Sequence, residues 1–285
     1  MSENHPMTHT PVLLHEQHGW TLLVSHHDSS VKRLVVFVHG FRGDGLETWL
    51  EFPTPGDHRQ WWLESDMLFV DYRSTREGVV AVADRIRRSI DEFFPNPYPA
   101  AMEIEDSPAR ADITTPYEEL VLVGHSMGGL IIRRALLDAA VEWDNDGRPE
   151  DSRPVILRSS TRLFSPASAG FQPSGWLGLV HASGLWGALE LYLNISSGYK
   201  DMQPGSQILT STRQQTEELA KEAGFEALRA FIVWANPEGV VITDRYRTDK
   251  RVDTLDNTNH VSVCKPVRDK FESPWKFIET GRLPK

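Results

Sequence analysis

The chain has 285 residues, 40% of them hydrophobic and 25% charged, which suits an ordinary soluble protein built as one large domain or two small ones. Its 30 basic and 40 acidic residues leave a formal charge of −10, which argues against a general nucleic-acid binder with a basic face. A lone cysteine, Cys264, excludes an intrachain disulfide, and the opening MSENHPMTHTPVLLHEQ lacks the basic-then-apolar order of a secretory signal, so a cytoplasmic location is the default.

After a loose tail of ten residues, Val12–His15 and Trp20–Ser25 read as two strands of a hairpin turning at Gly19. RLVVFVHG (33–40), MLFVDY (67–72) and ELVLVGHS (119–126) are continuous apolar runs rich in β-branched residues, as expected of strands buried on both faces. TRLFS (161–165) and AFIVWA (230–235) are weaker members of the set. Helical spacing of three to four marks Thr75–Phe94 and Leu130–Trp143, with further candidates at Ser206–Ala223 and at Val267–Thr280, the last interrupted by Pro274. Pro95–Pro116 and Trp143–Arg158 are polar and read as surface excursions. Alternating strands and helices imply an α/β fold with a mostly parallel central sheet and helices on both faces, and ligands collect at the carboxyl ends of such strands.

Residues 163–189 carry no charged side chain but include Pro166, Pro173 and five glycines. Their most apolar part is shorter than a membrane span of about 20 residues. The segment 166–200 therefore reads as a cover insertion within the single 1–285 domain, or a surface that rests on lipid, with Trp176 and Trp186 as candidate lining of an acyl groove.

GHSMGG (124–129) joins the strand LVLV to a helix and has the G-x-S-x-G form of a nucleophile elbow. A sharp turn there presents Ser126 above the sheet, with Gly124 and Gly128 removing the Cβ atoms that would clash. The serine needs a base, and two histidines follow it, His181 in the uncharged run and His260 in the polar loop TLDNTNHVSVCKP; His260 is favoured. The acid should lie between, past AFIVWA: Glu238 is the first choice, Asp244 the alternative, with Asp253 and Asp256 behind them. The backbone N–H groups of Met127 and Phe41 are the expected oxyanion donors. His39 reads as a brace for the Phe41 loop, and Arg42 first as a solvated loop arginine, with attraction of an acidic substrate group as the alternative. His26-His27-Asp28 lacks a fourth ligand at a known spacing, so no metal is expected; no cofactor is expected either.

VHGFRGDGLETW and GHSMGGLIIRRAL resemble the α/β-hydrolase superfamily, and more narrowly its serine esterase and lipase-like branch related to GPI inositol-deacylase and SERAC1-type proteins. Trp49, DMQPGSQIL and NHVSVCKP point the same way. The resemblance implies Ser126 as nucleophile, His260 as base and the Phe41 and Met127 amides as oxyanion donors. The uncharged run in the insertion before Lys200 points to a small-molecule or lipid ester with an apolar acyl group as substrate. Two departures stand out: Glu238 occupies the place before Gly239-Val240-Val241 where related sequences often have aspartate, and SPASAG replaces Thr-Pro-His after TRLFS. The expected activity is ester hydrolysis through an acyl-enzyme; the alternatives are a lipase or phospholipase at a membrane, and an interaction module that has lost turnover.

Overall fold

The computed structural model describes residues 8–14, 19–27, 31–43, 45–49, 60–104, 106–172, 197–267 and 270–284. Most of the 166–200 cover segment, with His181, Trp176 and Trp186, lies outside them. The strands are β1 (His9–Leu14), β2 (Trp20–Ser25), β3 (Arg33–Val38), β4 (Ser65–Val70), a two-stranded pair β5 (Glu103–Ile104) and β6 (Ser107–Pro108), β7 (Glu119–His125), β8 (Ser160–Phe164), β9 (Phe231–Asn236) and β10 (Arg251–Asp256). The helices are α1 (Gln60–Leu63), α2 (Val79–Ser89), α3 (Met127–Asn145), α4 (Ser197–Asp201), α5 (Gln207–Leu219) and α6 (Ser273–Thr280).

Eight strands form one sheet in the order β1-β2-β4-β3-β7-β8-β9-β10. β1 and β2 pair antiparallel, as do β2 and β4, while every later pairing is parallel. The apolar runs have a simple cause. Alternate side chains of a strand point to opposite faces, so Leu34, Val36 and Val38 join one core while Val35 and Phe37 join the other. The first core is covered by α2, α3 and α5; the second is closed by Trp49, by Trp61 and Trp62 of α1, and by Trp275, Phe277 and Ile278 of α6. Helices thus cover both faces, as the sequence pattern implied.

Three differences from the sequence pattern stand out. The last helix begins at Ser273 instead of running from Val267, because Pro274 sits in its first turn, where a missing N–H costs nothing. β10 escaped the sequence pattern because it is an edge strand in which Leu255 alone is buried, its other residues being polar or half-exposed. The helix expected over Thr75–Phe94 starts at Val79 and tightens to a 3-10 turn at Ile90–Glu92.

The Pro95–Pro116 excursion is anchored at one point. Arg110 reaches back under the sheet and forks onto both oxygens of Asp66 at 3.0 Å, with both side chains almost fully buried. The Tyr117 hydroxyl donates to Asp66 at 2.6 Å and the Ser25 N–H at 2.8 Å, so the carboxylate is saturated. A second buried pair ties α3 to the segment before β10: Arg133 forks its Nη2 between the Asp249 oxygens at 2.9 and 3.0 Å and gives its Nε to Ser168. Removing one partner of such a pair strands the other charge. Arg110→Met is expected to cost about 3–5 kcal/mol, measured by urea denaturation, with the Arg110→Met/Asp66→Leu double variant recovering much of the loss.

Candidate active site

The parallel register aligns the carboxyl ends of the central strands. Val38 of β3 pairs with Gly124 of β7, and Gly124 pairs with Leu163 of β8. The residues that follow each strand therefore emerge side by side at one edge of the sheet.

Ser126 occupies the turn from β7 into α3 with φ 54° and ψ −120°, a conformation side chains rarely adopt. Three hydrogen bonds hold it there: its N–H donates to Phe164 O at 3.1 Å, and its carbonyl accepts from Gly129 N at 3.1 Å and Ala167 N at 3.0 Å. The flanking glycines allow the arms to close. A Cβ on Gly124 would stand 2.8 Å from Gly129 Cα, and one on Gly128 would overlap the Val38 carbonyl oxygen. Met127 is the first residue of α3 and is buried.

His260 stands in a turn after β10 built by short polar side chains. Asn259 Oδ1 accepts the Val261 and Ser262 N–H groups at 3.0 and 2.9 Å, and Thr258 Oγ1 donates to Leu255 O at 2.6 Å. Nδ1 of His260 lies 3.1 Å from each carboxylate oxygen of Glu238. With Glu238 ionised, that nitrogen carries the proton and Nε2 is left as an acceptor. Glu238, just past β9, has a side chain only 2% exposed. Burial pushes its carboxyl up, but hydrogen bonding and charge from His260, a hydrogen bond with Ser165 and the Val240 N–H outweigh it and leave the group below the usual glutamate range.

The other carboxylates considered from the sequence face elsewhere. Asp244 pairs with Arg213 at 2.5 Å, Asp253 with Arg251 at 2.7 Å, and Asp256 accepts from Asn236 Nδ2 at 2.6 Å. His125, next to Ser126 in sequence, turns away from the elbow's outer side. Its Nε2 donates to His260 O at 2.7 Å, its ring lies 4.8 Å from the His260 ring, and Trp49 meets it edge-on at 6.5 Å. Burial, reinforced by repulsion from His260, lowers His125 to about 3, so it stays neutral and acts as a prop. Trp49, the tryptophan ending the first motif, is thus core beneath this histidine pair. Cys264 is no nucleophile: burial pushes its thiol up to about 12.

The loop after β3 runs against the elbow. A Cβ on Gly40 would come within 2.9 Å of Ser126 Cβ, so this backbone touches the serine. Phe41 follows Gly40. Arg42, at φ 58°, donates its N–H to Ser74 Oγ at 2.7 Å, and Gly43 N closes a turn onto Gly40 O at 3.0 Å. His39 braces the loop through Nδ1 to Gly40 O at 2.8 Å, stacks on Tyr72 at 4.1 Å, and places Nε2 3.5 Å from Asp71. Two contributors were not singled out from the sequence. Ser165, at φ 38°, accepts the Ala235 N–H at 3.0 Å and bonds Glu238. Ser74 pins the Arg42 amide. Both directly or closely follow a strand's carboxyl end, and that position was the available signal.

His26 engages Thr10 and the Ala109 carbonyl through its two ring nitrogens, and among the described residues no cluster of His, Cys, Asp or Glu could hold a metal ion. No helix among them is long and apolar enough to cross a membrane.

The model of the "Alpha/beta hydrolase family" matches residues 35–265. No curated protein matches the chain. Among solved structures, a Bacillus licheniformis lipase is similar at 16% identity over 86% of this chain and 92% of its own, with a TM-score of 0.49. The naproxen esterase of Bacillus subtilis shares 12% over 97% and 93%, also at 0.49, and the peroxisomal alpha-beta-hydrolase of Saccharomyces cerevisiae 11% over 91% and 78%, again at 0.49.

Both titrating groups destabilise the fold in acid. Glu238 is held below its unfolded value of 4.5, so its contribution is complete above that pH and is lost as pH falls through the folded value. His125 stays neutral down to about 3, whereas the unfolded chain protonates it near 6.5, so stability also drains away below 6.5. Melting temperature against pH should fall less steeply between 6.5 and 4 in His125→Gln, and less steeply below 4.5 in Glu238→Gln, than in the wild type.

Proposed function

Because the chain belongs to the alpha/beta hydrolase family, we propose that it is a serine hydrolase that cleaves carboxylic esters through an acyl-enzyme on Ser126. The observation that carries this reading is the His260–Glu238 pair, with Nδ1 held 3.1 Å from both carboxylate oxygens and the ring packed on His125, the residue before the strained serine. In this reading Nε2 of His260 takes the Ser126 hydroxyl proton as Oγ attacks the ester carbonyl, and Glu238 stabilises the imidazolium that forms. The N–H groups of Met127 and Phe41 face the oxyanion. The proton then passes to the leaving alcohol, and a water activated by the same nitrogen releases the acid.

The substrate we propose is a small-molecule or lipid ester, with the 166–200 segment proposed as its cover; the motif resemblance to GPI inositol-deacylase-like esterases belongs to the same proposal. The acid is glutamate where the resemblance leads one to expect aspartate. Its longer side chain is accommodated by Ser165 and by the Val240 and Val241 N–H groups, which meet Oε1 at 2.9 and 3.3 Å.

Turnover of a panel of p-nitrophenyl esters, with fluorophosphonate labelling, tests the assignment. Ser126→Ala should abolish labelling, and Ser126→Ala or His260→Ala should lower kcat by at least about 10⁴-fold. Glu238→Ala should lower kcat by about 10³–10⁴-fold, whereas Asp244→Ala should stay within a few-fold of wild type. Full activity in Glu238→Ala with loss in Asp244→Ala would reverse the choice of acid, and a folded protein whose serine never labels would favour a non-catalytic module.

A further inference from the structure

Beside the elbow, on the side of the loop after β3, a cleft of about 630 Å³ lies between residues 42–43 and the segment 71–76 that follows β4. Arg42, Arg73 and Arg76 line it, with Asp71, Ser74 and Thr75 between them. Arg42 and Arg73 are exposed, and among the described residues neither guanidinium is paired with a carboxylate. Asp71 is engaged by His39 at 3.5 Å and by the Gly45 N–H at 3.2 Å. Glu77, the next acid along the chain, pairs with Arg85 and accepts the Arg73 backbone N–H at 2.7 Å. Arg42 and Arg73 thus put two exposed guanidinium groups on this rim, beside an Asp71 carboxylate that faces His39 and the Gly45 N–H, in a chain whose formal charge is −10.

The cleft is mechanically continuous with the reacting serine. Gly40 touches Ser126, Arg42 is two residues further on, and Ser74 Oγ fixes the Arg42 amide at 2.7 Å. The Ser74 carbonyl and the Met127 side chain both pack against Gly198 of α4, which closes the same corner. A guanidinium presents a planar fork that matches carboxylate and phosphate oxygens, so two of them on one rim recognise an anion more specifically than diffuse positive charge does.

We propose that this cleft is an anion subsite and that the substrate is an ester bearing a carboxylate or phosphate, held by Arg42 and Arg73 while the ester carbonyl lies at Ser126. The inference takes the reacting serine from the hydrolase reading; the recognition of charge stands on the cleft itself. The anion can belong to a soluble ester or to a lipid headgroup, and both present the same oxygens to the arginines.

Two matched pairs of esters test it: p-nitrophenyl hemiglutarate against its methyl ester, with the charge on the acyl side, and 3-acetoxybenzoate against its methyl ester, with the charge on the alcohol side. In at least one pair the anionic member should show a kcat/KM roughly tenfold higher, equivalent to about 1.4 kcal/mol. Arg42→Gln and Arg73→Gln should each reduce that ratio several-fold, and added salt should shrink it in the wild type. Calorimetric titration of Ser126→Ala with the same pairs reads the subsite without turnover. Tighter binding of an anionic member, lost in Arg42→Gln/Arg73→Gln, upholds the subsite even if no ester is hydrolysed, in which case the hydrolase reading alone fails. Equal binding within both pairs, preference for the neutral members, or no binding of any member overturns the subsite. Vesicles of phosphatidylglycerol against phosphatidylcholine separate the sources: an arginine-dependent preference for phosphatidylglycerol cleavage assigns the anion to a lipid headgroup, and an arginine-dependent preference confined to the soluble pairs assigns it to a free ester.

Discussion

Parallel pairing of β7 between β3 and β8 is the constraint from which the site follows. In a parallel ladder, strands that start in register also finish in register, so Gly40, Ser126 and Ser165 appear at one edge without any loop having to search for the others. The elbow is welded to that edge by backbone: Ser126 donates to Phe164 of the neighbouring strand and receives Ala167 from the loop beyond it. A serine in a sparsely populated conformation persists only where the surroundings over-determine it, and here both amide groups of the residue are committed to elements that the sheet itself positions.

Electrostatics at this edge separates two adjacent imidazoles by environment alone. His125 and His260 lie ring against ring, yet one is buried without an anionic partner and the other faces a carboxylate. Burial keeps the first neutral and turns its Nε2–H into a fixed donor for the backbone of the second. Glu238 is ionised despite its depth because every oxygen has a donor: the imidazole, the Ser165 hydroxyl and two backbone amides. The first histidine is therefore scaffold for the second, a division of labour set by which of them the carboxylate can reach.

Much of this was legible in the chain, and what escaped has a common cause. β3, β4, β7, β8 and β9 were readable because strands buried on both faces need apolar residues at every position. The elbow was readable because its glycines are forced by backbone-to-backbone contacts. β10 was invisible because one face of an edge strand meets water, and a sequence such as RVDTLD then resembles a loop. Asp66 with Arg110 gave no local signal, since the partners are 44 residues apart and only folding joins them. Ser165 carries no local signal because serine is common in turns; its importance comes from the strand end it occupies.

The two borders of the sheet carry a last implication, for colloidal behaviour. An open strand edge is a template on which another chain can add. β1, at one border, interrupts its row of donors with Pro11, which has no N–H to offer. β10, at the other, carries Arg251, Asp253 and Asp256, so an incoming strand would have to bury charge to pair with it. The same polarity that hides β10 from a reader of the sequence thereby discourages the folded molecule from polymerising edge to edge.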